Sequence, residues 1–311
     1  MNKTTDRKIV LVTQRTRLQE LVRRYNTVGQ AQFYVEHHGG DFGDYLAEDS
    51  AYRSAVECAT AFLEQYGRLQ IVDRTLISGF LFGENDLVVA VGRDGLVANT
   101  LKYLTVQKLI GVNPDPKRWD GVLLPFTPAD LARIVPETDR GQRRVRSVTL
   151  AEARLNDWQT LYGVNDIFIG QRTHTSARYR LEASGRAESQ SSSGIIVSTG
   201  LGSTGWFKSV MTGVSGIDSA RGVVRRPSDS VGFAWESRYL YYVVREPYPS
   251  KSTGASLVFG KIDESQPIRI TSNMPENGVI FSDGMEQDCM EFNSGAIVTV
   301  GVSGRIGNLV V

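Results

Sequence analysis

Cysteine and histidine are scarce: the 311 residues include two cysteines, Cys58 and Cys289, and three histidines. That excludes a disulfide framework and a Cys/His zinc site, and it suits a chain that works in a reducing cytoplasm. An excess of either charge is also missing. Lys and Arg number 35 against 34 Asp and Glu, so composition gives no basis for nucleic acid or an anionic membrane as the main partner. No apolar run approaches the ~18 residues of a membrane span, and the one in "MNKTTDRKIVLV" is far too short for a signal peptide. Internal repeats and low-complexity tracts are lacking too. What remains, 41% hydrophobic and 22% charged residues, is the make-up of a soluble globular chain with a full core and room for two domains.

Two patterns divide the chain. In the first part, Lys8 to Thr13, Leu87 to Val91 and Lys108 to Val112 are apolar runs expected to be buried strands. Between them lie helical spacings, at Leu18, Leu21, Val22 and Tyr25 and again at Val56, Ala59, Leu63 and Tyr66, the second helix starting near Ser50 after a Gly-rich loop that holds His37 and His38. Such alternation predicts a Rossmann-like α/β domain with a parallel sheet over residues 1–140. Thr127, Pro128 and Asp130 form a helix-start signature, and "ETDRGQRRVRS" is expected to be a solvated linker. The remainder, 141–311, is mostly short strands such as "NDIFIG", "GIIVST", "YLYYVVRE" and "GVIFSD", separated by turn pairs such as Ser184-Gly185 and Asp283-Gly284. This predicts a β-sandwich-like domain, with the extreme C-terminus free to pack back on the first.

The stretch "LVVAVGRDGLVANTL" runs from a buried strand through a glycine-flanked turn into a helix. Turns of this kind hold phosphate, because free N–H groups and the helix dipole point at the anion. Asp94 is out of place there. A carboxylate repels phosphate unless it has a chemical task, such as accepting the proton of a hydroxyl that attacks phosphorus. The plain alternative is that Asp94 caps an ordinary helix.

The order "VGRDGL", "IGVNPDP", "VNDIFIG", "GIIVSTGLGSTGWF" and "FSDGMEQDCMEF" resembles that of the NAD kinase family over most of the chain. Gly200, Trp206, "REPYP" and "EFNSGAIV" are most similar to its mitochondrial branch. The resemblance implies a two-domain, ATP-dependent kinase that phosphorylates the 2′-hydroxyl of NAD or a related adenosine-containing acceptor in a cleft between its domains, and a homodimer or higher homo-oligomer. It implies that Asp94 binds the acceptor ribose and serves as its base, and that Gly92 and Gly95 let backbone approach phosphate. By the same match Asn165 and Asp166 hold the adenosine part, and Ser203, Thr204, Gly205 and Trp206 close around it. Asn113 falls where a cleft residue belongs, and Mg²⁺ arrives with the ATP, metal ligands of the chain's own not being expected.

Three positions depart from the family pattern. Arg93 replaces the second glycine of Gly-Gly-Asp-Gly, Leu96 the threonine after it, and Ser193 an aspartate, the last a change that the mitochondrial branch shares. A residue with Cβ forced to φ > 0 costs ~1–2 kcal/mol, so the turn has changed shape or never used that region. Arg93 either clamps the γ-phosphate or fills part of the donor site. Two further readings stand beside the NAD kinase one: a lipid or sugar kinase of the same superfamily, and a dinucleotide sensor that has lost transfer. His174 is expected in a strand-connecting loop, where a ligand contact is conceivable.

Overall fold

The structure, a computed structural model, describes residues 3–223 and 232–311 and divides into two compact units, 1–146 with 308–311 and 147–307. The first holds β1 (Lys8–Thr13), α1 (Arg17–Tyr25), α2 (Val28–His37), α3 (Phe42–Tyr66), β2 (Arg68–Asp73), β3 (Leu87–Val91), α4 (Asp94–Leu101), β4 (Lys108–Val112) and α5 (Leu131–Asp139). Its strands are parallel in the order β2-β1-β3-β4, and Asn308 and Leu309 pair beside Lys108 and Leu109 of β4. All five residues of β3 are buried, as a central parallel strand requires. Tyr52, Ala55, Ala59, Leu63 and Tyr66 make one stripe of α3 that packs with Leu131, Ile134 and Val135 of α5 against Ile9 and Leu11.

α3 begins eight residues before the expected start near Ser50, because Asp41 caps it by accepting the N–H of Gly43 at 2.8 Å. His37 closes α2, and only residues 38–41 remain of the expected loop. Pro128 opens a 3₁₀ turn leading into α5, and Asp130 accepts the N–H and hydroxyl of Thr127 at 2.8 and 2.7 Å.

The second unit continues with β5 (Val145–Leu155), β6 (Thr160–Gly163), β7 (Asp166–Gln171), β8 (Ala177–Ala183), β9 (Arg186–Ser192), β10 (Ile195–Ser198), α6 (Trp206–Ala220), β11 (Tyr239–Val244), β12 (Phe259–Asp263), β13 (Ile268–Ser272), β14 (Gly278–Ser282), β15 (Met285–Glu291) and β16 (Ile297–Val310). One antiparallel sheet runs β12-β11-β10-β7-β14-β15; in the other, the start of β16 is followed by β13, β8 and β9. Alternate residues of the two sheets, such as Ile167, Ile169, Ile195 and Val197 against Tyr179, Leu181 and Ile270, interdigitate in one core. Phe168, Ile196 and Val243 point the other way and are covered by Phe207 of α6. The turn pairs Ser184-Gly185 and Asp283-Gly284 all have positive φ, the hairpin geometry their composition predicts. No helix among the described residues is long and apolar enough to cross a membrane, and Cys58 and Cys289 are free thiols.

Candidate functional site

In the first unit, the turn from β3 to α4 carries "GRDG". Arg93 has φ −103° and ψ 167°, extended backbone open to any residue, and neither Gly92 nor Gly95 has positive φ. The turn therefore accepts Arg93 without backbone strain. Gly92 is held small by its neighbour: a Cβ there would lie 2.7 Å from Cδ2 of Leu96, which is buried. A Cβ on exposed Gly95 would meet nothing within 4 Å. The leucine that replaces the usual threonine thus packs back on the first glycine of the motif.

Asp94 is the first residue of α4 and not its cap. Its Oδ1 accepts the N–H of Leu123 at 2.7 Å, while Oδ2 has no hydrogen bond among the described residues. The side chain is aimed by one oxygen and keeps the other available. Arg93, the cap residue, makes no side-chain capping bond. It donates instead to Glu48 at 2.6 Å and lies over the ring of Trp119, 4.2 Å from its centre. Glu48 is buried on α3 and also binds Arg17, so one carboxylate fixes two guanidinium groups. Asn113, buried at the end of β4, donates to the Trp119 carbonyl at 2.9 Å and accepts from the Asp115 N–H at 3.0 Å. It ties together the loop that supplies Trp119.

In the second unit, Asn165 ends the turn before β7 and Asp166 is the first residue of that strand. Asp283 organises the turn: its carboxylate accepts the N–H groups of Val164 at 3.0 Å, Asn165 at 2.6 Å and Asp166 at 3.3 Å. On the other side, Thr199 donates its N–H to the Asn165 carbonyl at 3.0 Å and its hydroxyl to that of Val164 at 2.5 Å. With its backbone clamped from both sides, Asn165 has a side chain that makes no hydrogen bond among the described residues. The loop after β10 sits on this turn so closely that only glycine fits. A Cβ on Gly202 would lie 1.9 Å from the Asn165 carbonyl oxygen, and one on Gly200 2.0 Å from that of Ala234.

Ser203 is buried, donating to the Gly200 carbonyl at 2.7 Å, whereas Thr204 and Gly205 are exposed. Trp206 opens α6 half-buried, stacked 5.5 Å from Phe168, with the Arg245 guanidinium 5.3 Å from its ring centre. It is both packed and presented, lining a cavity of about 340 Å³ with Phe168, His174, Ser193 and Arg245. His174 lies in the β7–β8 loop, and Gly194, next to Ser193, has φ +102°, which favours glycine.

Burial, followed by the negative charge of Asp283, pushes Asp166 up to about 7. A carboxyl whose folded pKa lies above its unfolded ~3.9 holds a proton that the unfolded chain has lost, so stability falls as pH rises through that window. The span from ~3.9 to about 7 makes the loss at most ~4 kcal/mol. Asp166→Asn should therefore flatten the decline in thermal stability between pH 5 and pH 8. Parallel melting curves for wild type and variant across that range would assign the decline to other groups.

The architecture is the two-domain fold of NAD kinases. Two solved structures are similar over nearly the whole chain. Yeast NADH kinase complexed with NADH has a TM-score of 0.61 and 14% identity, covering 98% of this chain and 84% of its own. An NAD kinase from Archaeoglobus fulgidus in complex with ATP has a TM-score of 0.55 and 17% identity, covering 97% and 92%. No family model and no curated protein sequence matches the chain.

Sequence reasoning missed Glu48, Trp119, Asp283 and Arg245 as parts of these sites. Arg245 carried a signal as the first residue of "REPYP" and Asp283 as half of a turn pair, and nothing local announced that Asp283 reaches the "VND" turn.

Proposed function

We propose that the chain is a kinase of the NAD kinase family, similar to its mitochondrial branch, that transfers the γ-phosphate of ATP to the 2′-hydroxyl of NAD or a related adenosine-containing dinucleotide. The observation that carries this reading is Asp94, fixed through Oδ1 to the Leu123 N–H with Oδ2 unengaged at a helix start that no side chain caps. On this reading Oδ2 binds the acceptor ribose and takes the hydroxyl proton late, when the new bond to phosphorus is forming, so that a weak base suffices. Gly95 leaves open backbone for phosphate, and the rate comes from positioning and charge neutralisation. Asn165, Asp166 and the 203–206 loop hold the adenosine part, with the unengaged Asn165 amide available to the base.

Mg²⁺ arrives with the triphosphate. Work in a reducing cytoplasm accords with the free thiols. Assembly into at least a dimer through the β-rich unit accords with the aromatic cluster Phe233, Tyr239, Tyr241 and Phe259, whose last member is 46% exposed.

Calorimetric titration with NAD, NADH, NADP and ADP tests the acceptor site. A dinucleotide should bind, and Asn165→Ala should weaken it about tenfold, the ~1.4 kcal/mol expected of one good hydrogen bond. No heat from any of the four at millimolar concentration would remove the dinucleotide reading.

A further inference from the structure

One N–H, that of Leu123, aims the Asp94 carboxylate, so its direction depends on how firmly the loop that carries Leu123 is seated. That loop, residues 113–126, leaves β4 and returns to it, the Asn113 N–H donating to the Phe126 carbonyl at 2.7 Å. Against the sheet it lies too close for side chains. A Cβ on Gly111 of β4 would be 2.1 Å from the Leu123 carbonyl oxygen, and one on Gly121, which has φ +63°, would be 2.5 Å from the Asn113 amide nitrogen.

A second set of contacts ties the loop to α3 and to the "GRDG" turn. Arg118 donates to one oxygen of Asp44 at 2.6 Å, and the other oxygen accepts from Arg17, also at 2.6 Å. Arg17 reaches on to one oxygen of Glu48, whose other oxygen accepts from Arg93 at 2.6 Å, and Arg93 lies 4.2 Å over Trp119. Trp119 follows Arg118 in the chain, so the series closes on itself. Asp115, 3.5 Å from Arg118, supplies a third carboxylate for the three guanidinium groups, and the circuit is neutral as a whole. Its anchor is buried Glu48. The Asp44 end is more exposed, where a single ion pair adds little, but a buried carboxylate gives up either of its partners only at a high cost. Without a side chain at position 93 the series would be open between Glu48 and Trp119.

We propose that Glu48, Arg93 and Trp119 are positioning residues: through the loop they hold the Leu123 N–H on Oδ1 of Asp94, and so keep Oδ2 directed at the acceptor hydroxyl, an inference that rests on the kinase reading above. Arg93 thereby has a task that glycine cannot perform and that needs no contact with substrate. Misplacing a reacting group by a fraction of an ångström slows the chemical step without weakening binding, so the circuit should act on kcat.

The test compares Trp119→Leu, Trp119→Phe and Arg118→Gln with wild type as full chains, with NAD or NADH, whichever wild type phosphorylates. Trp119→Leu and Arg118→Gln should lower kcat about tenfold with the KM for the dinucleotide within twofold, and Trp119→Phe, which keeps an aromatic face under Arg93, should stay within threefold of wild type. Arg53→Gln is the control, the same charge change at an exposed ion pair of α3 outside the circuit, and should leave kcat within twofold. Combined with Asp94→Asn, Trp119→Leu should slow single-turnover transfer no further, because the group it positions is already gone. Equal losses in both backgrounds, or no loss in either, would overturn the proposal. Hydrogen exchange at the Leu123 amide reads the same coupling without turnover: it should be about tenfold faster in Trp119→Leu and Arg118→Gln and unaltered in Arg53→Gln. Faster exchange in a chain that transfers no phosphate would keep the brace and remove the kinase, and transfer by wild type with unaltered exchange in the variants would do the reverse.

Discussion

Asp94→Asn should lower phosphate transfer by about 10²–10⁴, the usual cost of losing a general base, while dinucleotide binding survives. Asparagine keeps a carbonyl oxygen where Oδ1 accepts the Leu123 N–H, so the turn between β3 and α4 keeps its shape. What it loses is the capacity of the second position to take a proton. Steady-state kinetics, with melting curves to show that the variant folds, read this directly. A variant that transfers as fast as wild type would return Asp94 to a structural role at the start of α4. Arg93→Gly is the companion substitution: it leaves buried Glu48 with Arg17 alone and should raise the KM for ATP, whereas a gain in activity would mean that the guanidinium obstructs the donor.

Gly202→Ala should be the most damaging substitution for stability in the second unit. The added carbon would sit 1.9 Å from the Asn165 carbonyl oxygen, and that oxygen cannot retreat, because Asp283 and Thr199 hold the turn on both sides. The loop must move or the turn must open, at a cost near the ~3 kcal/mol upper end for overpacking. For a unit of this size that is a fall in Tm of about 6–12 °C. Gly213→Ala is the matched control, since a Cβ there meets nothing within 4 Å on α6 and should add about 0.5–1 kcal/mol by helix propensity. Equal Tm values for the two variants would show that the loop and the turn are not coupled as described.

Strong local patterns made part of this molecule legible. β3 announced itself as five apolar residues, α1 by its spacing, and the hairpins by Ser184-Gly185 and Asp283-Gly284, because burial and turn geometry act within a few residues. β2 did not, since "RLQIVD" lies at the sheet edge with only Val72 of its six residues buried and no clean alternation. β9, "RAESQSS", is polar apart from Ala187 and is ordered by pairing with β8. The early start of α3 depended on a cap at Asp41 followed by a glycine, a pairing that looks like loop. At the candidate site, the "GRDG" turn and the "VND" and "STGW" loops were legible as motifs. Their supports were not. Glu48 serves Arg93 across 45 residues of sequence, and Asp283 serves Asn165 across 118. Such partners are chosen by tertiary packing, and a helix pattern or a turn pair looks the same without them.

The most direct measurement of the central claim is single-turnover incubation of the full chain with γ-labelled ATP and Mg²⁺, offering NAD, NADH, a lipid hydroxyl and a sugar as separate acceptors. The account predicts label on a dinucleotide, at the ribose 2′ position, with none on the lipid or the sugar. Label that stays on ATP, appears only as free phosphate, or reaches the lipid or the sugar in preference would contradict it.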